Sequence, residues 1–398
     1  MAKDNSLSDP RQTLRYFERH THEFVDMLRA LVSLDTPTGD AQASRRFATL
    51  YQEMLESSGV CCRAFETEVG VHLVGDWLPG GATSAANDAT PDVTLSCHSD
   101  TVWPAGEASR RPPTVRDGCL FGPGVYDMKA GLVTAALFFQ FLQEGGASTD
   151  RHFRIFVSAD EEHGSIDARP YMEQAVPADT CALVLEPPLP CGALKVYRKG
   201  VGIYTLEIRG RAAHAGAEPE RGASAVDELA HQILALHEFR DTDRGVTINI
   251  GTVEGGTASN VVADRVTATI DLRFDDPKDG AEIDGKLRSL RQRDSNVLMD
   301  LRGGIAFPPM VASERTLREA ERYVDVAGQL GLALGTGRSG GGSDGSFLAS
   351  RGTVTLDGVG VDGAGAHALD EHVRLARFPV RAALLAEIAL RIACRSSV

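Results

Sequence analysis

The stretch Leu95-Ser96-Cys97-His98-Ser99-Asp100, with an apolar run from Pro91 ahead of it and Asp127 further on, decides how this chain is read. The run predicts a buried strand that delivers His98 and Asp100 to its end. Alternation along an extended segment puts those two side chains on one face. A histidine beside a carboxylate at a strand end suits a metal ligand and the group that orients its ring.

Outward from this stretch the chain alternates strand and helix. Strands are expected at Val93–Cys97, Phe153–Ser158 and Ala182–Leu185, with a helix at Ala130–Gln143 between the first two. That alternation predicts an α/β layer with a mostly parallel central sheet flanked by helices. Sites in such sheets form beyond the carboxyl ends of the strands. His98 and Asp100 follow the first strand, Asp160-Glu161-Glu162 the second and Glu186 the third. Upstream, amphipathic helices are expected over 21–34, where Phe24, Met27, Leu28 and Leu31 form the stripe, and over 42–57, followed by a strand at Val69–Trp77. Pro79 to Pro91 is aperiodic and reads as a surface loop.

The texture changes near Gly200. Ile203–Arg209, Val246–Val253 and Val266–Phe274 alternate like half-buried strands, and helices are expected at Ala223–Leu236 and Glu282–Arg293. This β-α-β-β-α order predicts an inserted α+β, ferredoxin-like domain over 200–304. The first architecture, 1–199, resumes over 305–398 with a helix at 313–331, a strand at Thr353–Leu356 and a closing helix at Pro379–Ala393.

Composition narrows the function classes. The chain has 398 residues, 42% apolar and 24% charged, with a formal charge of -14. Acidity argues against nucleic-acid or anionic-membrane partners. No run reaches the roughly 18 consecutive apolar residues of a membrane span. The polar segment Met1 to Arg15 shows no secretory signal. The seven cysteines, Cys61, Cys62, Cys97, Cys119, Cys181, Cys191 and Cys394, form no CxxC pair, so reduced thiols and a cytoplasmic location are expected.

Further clusters carry chemistry. In Phe121-Gly-Pro-Gly-Val-Tyr-Asp127-Met-Lys129, glycines and proline present Asp127 ahead of a helix, either as that helix's N-cap or as a ligand. In Asp160-Glu161-Glu162 the carboxylates repel one another unless solvated or held by a dication. A division of labour suits them: one ligates metal, its neighbour accepts a proton. Glu186 at a buried strand end and His367 in a glycine-rich loop complete two histidines and three carboxylates, a set that fits a two-metal hydrolytic site. Nitrogen and oxygen donors without thiolate suit zinc, less often cobalt or manganese.

His98-x-Asp100, Gly122-Pro-Gly-x-x-Asp127-x-Lys129, Asp160-Glu161-Glu162-x-Gly164-Ser165, Glu186-Pro187 and His367 occur in an order that resembles the M20 metallopeptidases, and among them the glutamate carboxypeptidases of the carboxypeptidase G2 type. The resemblance spans nearly the whole chain. It implies a zinc-peptidase domain interrupted by a lid that dimerises, and two Zn2+ per subunit, with Co2+ or Mn2+ as substitutes. His98 and Glu186 would complete one ion's ligands, Glu162 and His367 the other's, and Asp127 would bridge. Asp100 would orient His98, and Glu161 would be the general base toward a metal-bridging water. A cis peptide after Asp127 is also implied.

In the lid, Gly210-Arg-Ala-Ala-His214 resembles the family's histidine that reaches across the dimer and polarises the oxyanion. Asn260 resembles a substrate-contacting asparagine, and Arg273 the arginine that takes the substrate's α-carboxylate. Gly341, Gly342 and Ser343 lie in Ser339-Gly-Gly-Gly-Ser-Asp344, readable as a flexible turn or anion nest; the resemblance makes it a substrate loop. Arg198-Lys199 could be a hinge or a substrate contact.

The expected function is a metal-dependent amidohydrolase or carboxypeptidase that cleaves the amide to a C-terminal, glutamate-like residue of an N-acyl amino acid or short peptide. An N-acyl-amino-acid deacylase or desuccinylase of the same fold is the alternative. A metal-stabilised, inactive binding protein is the third reading, and Glu161, a base that ligates nothing, argues against it.

Overall fold

The computed structural model describes residues 9–81 and 90–393. The chain forms two compact units: one from the segment up to Tyr197, Val311–Ser339 and Ser343 onward, the other from Arg198–Met310 with Gly340–Gly342.

The first unit is built on a mixed sheet with a parallel centre. Strand Val93–His98 pairs in parallel with Phe153–Ser158 on one side and Cys181–Val184 on the other, and Val354–Asp357 continues in parallel beside Cys181–Val184. Val71–Trp77 lies antiparallel on Phe153–Ser158, and Cys61–Glu66 antiparallel on that. Every residue of the four central strands is buried, which is why they read as apolar runs without alternation. Helix Ala130–Gln143 is buried on nearly all sides. Val125–Gln143 is apolar and long enough to span a membrane by composition, yet 83% of it lies inside the fold, as a core helix does.

Some elements differ from expectation. Helix Pro10–Arg19 was not expected; Asp9 caps it by accepting the Arg11 N–H at 3.0 Å. Strand Cys61–Glu66 escaped because it is an edge strand, mostly half-exposed. Cys61, Cys62, Cys97, Cys119 and Cys191 stand outside disulfides, whereas Cys181 is disulfide-bonded, against the expectation of reduced thiols throughout. Most of the loop expected at Pro79–Pro91, and Cys394, lie outside the described residues.

The second unit is a four-stranded antiparallel sheet in the order Thr247–Gly255, Arg265–Phe274, Gly200–Arg209, Leu298–Phe307. Helices Ala225–His237 and Pro277–Arg288 pack their apolar stripes on it around Tyr204, Leu206, Ile270, Leu229 and Ile283. The fourth strand completes β-α-β-β-α-β; Gly303-Gly304 within it hid the alternation. The second helix starts earlier than Glu282. Asp276 caps it and Pro277 occupies its first turn, a start signal that outranks the later apolar spacing.

Candidate metal and catalytic site

Three neighbouring parallel strands end at one place. His98 closes the first, Glu161 and Glu162 follow the second, and Glu186 follows the third. Beyond Val354–Asp357, which continues the same sheet, the chain runs on to His367. Gly360 passes directly beneath Glu186: a Cβ there would lie 2.5 Å from Leu185 O and 2.7 Å from Glu186 O, so only glycine fits.

Asp127 sits between two imidazoles. Its Oδ1 is 3.2 Å from His98 Nε2, and its Oδ2 is 3.4 Å from His367 Nε2. A further carboxylate flanks each ring. Glu186 Oε1 is 3.4 Å from His98 Nε2, and Glu162 Oε1 is 3.3 Å from His367 Nε2. Two triads result, His98–Asp127–Glu186 and His367–Asp127–Glu162, sharing Asp127. Glu161 also converges with His98 and Glu186, ligand atoms within 4.8 Å of one another.

The Asp127–Met128 peptide is cis. Helix Ala130–Gln143 has Lys129 at its N-cap position and no side-chain cap. Asp127 is therefore not the helix N-cap. Its loop turns through Gly124 at φ +69°, where a Cβ would also lie 2.4 Å from Thr101. His367 itself has φ +62°, a left-handed conformation uncommon outside glycine, and its side chain is half exposed.

Asp100 is buried and saturated. Oδ1 accepts the Glu161 N–H and Oδ2 the Glu162 N–H, both at 3.1 Å; Oδ2 also accepts the Thr38 hydroxyl at 2.7 Å. His98 Nδ1 is 3.0 Å from the Asp100 backbone oxygen and 3.5 Å from Oδ1, so the nearer acceptor for its N–H is the backbone carbonyl. Asp160, the third carboxylate of its run, turns away and accepts the N–H groups of Asp167 and Ala168 at 2.7 and 3.3 Å.

The electrostatics call for positive charge. Burial alone would push the His98 imidazolium down, but Asp100, Asp127 and Glu186 raise it well above its ordinary value. The carboxylates of Asp127 and Glu162 beside its ring bring His367 up to about 10. Burial disfavours ionised Asp127, yet the two histidines hold it far below the usual carboxylate range. Burial, with Glu186 and Glu162 nearby, pushes Glu161 well up. Both Nε2 atoms thus face anionic oxygens, and protons can supply the missing charge only in part. Glu162 Oε1 is buried, and its contact with His367 Nε2 at 3.3 Å lacks the alignment of a hydrogen bond. An orphaned oxygen, two imidazoles and four convergent carboxylates fit a pair of dications.

His214, Asn260 and Arg273 belong to the second unit. His214 and Asn260 are exposed on adjoining loops, with the Ala215 N–H donating to Asn260 O at 3.0 Å. His214 Nδ1 accepts from the N–H groups of Gly216 and Ala217 at 3.2 and 3.0 Å, which leaves Nε2 as the protonated nitrogen. Arg273 is engaged: Nε and Nη2 donate to Asp271 at 2.8 and 2.6 Å, and Nη1 to Gly340 O at 3.3 Å. Arg198 Nη1 donates to the carbonyls of Gly341 and Gly342 at 3.2 and 2.9 Å. Ser343 is fully buried. Its hydroxyl donates to Asp357 at 2.7 Å and caps helix Asp344–Ser350, so any substrate contact at this position comes from the backbone.

One residue near the site drew no reading from sequence. Glu371 is buried, and its carboxylate accepts four hydrogen bonds: from Gly124 N–H and Trp103 Nε1–H on Oε2 at 2.8 and 3.0 Å, and from the N–H groups of Tyr126 and Asp127 on Oε1 at 2.9 and 3.0 Å. Its place four residues after His367, next to Asp370 at the end of a glycine-rich loop, is the signal the sequence offered.

A mixed α/β sheet with carboxylates and histidines at its strand ends, joined in one chain to a ferredoxin-like unit, defines a metallohydrolase class of architecture. This is the M20 peptidase fold, and residues 196–296 match the M20 peptidase dimerisation domain. Carboxypeptidase G2 of a Pseudomonas species is 25% identical over 376 residues, covering 92% of this chain and 88% of that protein. A succinyl-diaminopimelate desuccinylase of Cereibacter sphaeroides is 28% identical, covering 84% and 90%. A tripeptidase structure from Staphylococcus aureus superposes with a TM-score of 0.71 at 23% identity, over 94% of this chain and 99% of that one. An M20 family metallo-carboxypeptidase from Sulfolobus solfataricus does so with 0.69 at 15% identity, over 92% and 99%.

Proposed function

We propose that the chain is a dizinc amidohydrolase that removes a C-terminal, glutamate-like amino acid from an N-acyl or short peptide substrate. The observation that carries this reading is Asp127 shared between two triads, with Glu161 beside them. His98, Glu186 and Asp127 would hold one ion, and His367, Glu162 and Asp127 the other. When bound, such a pair lowers the pKa of water and polarises an amide carbonyl. Glu161, buried and raised, accepts the proton of the attacking water and hands it to the leaving nitrogen. Asp100 fixes the turn that carries Glu161.

Residues 200–304 form the lid and homodimer contact in this reading, and 1–199 with 305–398 the catalytic domain. His214, exposed and protonated on Nε2, donates to the oxyanion. Arg273 takes the substrate carboxylate with the N–H groups Asp271 leaves free, and Asn260 and the backbone of Gly341, Gly342 and Ser343 line the substrate. The enzyme acts on small molecules in the cytoplasm. The desuccinylase relative supports the second reading, an N-acyl-amino-acid deacylase.

Metal analysis with a panel of N-acyl amino acids and dipeptides, varied at the C-terminal residue, tests the assignment. Hydrolysis of glutamate conjugates is expected, and succinyl-amine hydrolysis in its place selects the second reading. A protein that binds metal and hydrolyses none of the panel is a binding protein.

A further inference from the structure

We infer that Glu371 is a positioning residue that sets the place of the shared carboxylate. This rests on the reading of Asp127 as the ligand common to two ions. Asp127 sits on an irregular loop, where backbone N–H groups lack helical partners. Glu371 takes three of those groups, Gly124, Tyr126 and Asp127 itself, on a single buried carboxylate. The same carboxylate belongs to the segment that carries His367, and the Gly122 N–H donates to its backbone oxygen at 3.3 Å. Strand His372–Arg374 then pairs directly with Cys119–Phe121, the strand that leads into the Asp127 loop. Glu371 thus joins the loop of the shared ligand to the loop of a terminal one. Trp103 Nε1 adds a third segment, just past Asp100.

Both carboxylate oxygens are needed, since each accepts two bonds and all four partners are donors. Glutamine at this position offers one acceptor and turns an amide N–H toward two others. A buried donor left unpaired is costly where it occurs, and the Asp127 loop relaxes by moving.

The test is titration of the metal-free, full-length protein with Co2+, followed by electron paramagnetic resonance of the loaded form. Asp127→Asn comes first: it must weaken binding of both ions, and retention of both at wild-type affinity overturns the site reading and this inference with it. With Asp127→Asn behaving so, Glu371→Gln is expected to keep a wild-type circular dichroism spectrum, to lose about tenfold or more in affinity for at least one ion, and to weaken the magnetic coupling between the two. Wild-type affinities and coupling in Glu371→Gln overturn the inference alone. Should that variant fail to fold, Trp103→Phe removes one donor and leaves the carboxylate in place. A drop of roughly two- to tenfold in affinity for one ion then supports the inference, and unchanged affinity overturns it.

Discussion

The backbone N–H of Glu161 donates to Asp100 Oδ1 at 3.1 Å. A carboxylate expected only to steer His98 therefore also fixes the turn bearing the proposed base, and the adjoining Glu162 N–H binds its other oxygen. Asp100→Asn puts an amide donor against one of these N–H groups. Metal affinity and kcat should both fall, each by about 10–100-fold. Measuring kcat at saturating zinc separates the two: full recovery would mean that Asp100 acts through His98 alone.

Glu161→Gln keeps the shape of the side chain and removes its basicity. Turnover should drop by about 10²–10⁴-fold while zinc content stays at wild type. Loss of zinc in this variant would instead make Glu161 a ligand.

Four carboxylates, Asp127, Glu161, Glu162 and Glu186, crowd two imidazoles. Removing metal takes away the charge that holds them together. Dialysis against a chelator should abolish activity and lower Tm, since an ion that binds only the folded state stabilises it. Zinc or cobalt should restore both. His367→Ala should leave one ion per chain, read by elemental analysis, because His98, Asp127 and Glu186 remain.

Acid sensitivity is predicted far from the chemistry. Asp76 Oδ1 accepts from His152 Nε2 at 2.6 Å and Arg154 Nε at 2.7 Å in a buried setting. Burial would raise its pKa, but the bonds from His152 and Arg154 bring it below the ordinary value of 3.8. A carboxyl with a depressed folded pKa contributes stability above the unfolded value and loses it as pH falls through the folded one. Asp76→Asn should cost about 3–5 kcal/mol at neutral pH. It should also flatten the dependence below pH about 4. Urea unfolding followed between pH 7 and pH 3 reads both.

Much of this was legible in sequence because each signal was local. Apolar runs marked the central strands, and in an α/β sheet the polar residues that end such runs meet. His98, Glu162 and Glu186 needed little more than that rule. What stayed hidden depends on tertiary pairing. Glu371 looks like any acidic loop residue until three N–H groups of a distant loop converge on it. Ser343 reads as part of an open glycine-rich loop, yet its hydroxyl is spent on Asp357, a residue of strand Val354–Asp357. Arg273 fits a carboxylate in the abstract; its neighbour Asp271 already takes the Nε and Nη2 side of the fork. Strand Leu298–Phe307 carries two glycines, and only its partner Gly200–Arg209 makes it a strand.

Strand Val354–Asp357 lies inside the sheet, between Cys181–Val184 and Leu194–Arg198, and His367 follows it. On the ribosome, all other members of the two triads emerge long before these two do. Until residue 357 is out, Cys181–Val184 has an open hydrogen-bonding edge, the kind of exposed template that aggregates. A nascent chain is therefore both inactive and in need of shielding until the segment through His367 has emerged. By the same logic, a stop codon just ahead of residue 354 is as damaging as one near residue 98, because it deletes an interior strand and a histidine of the site together.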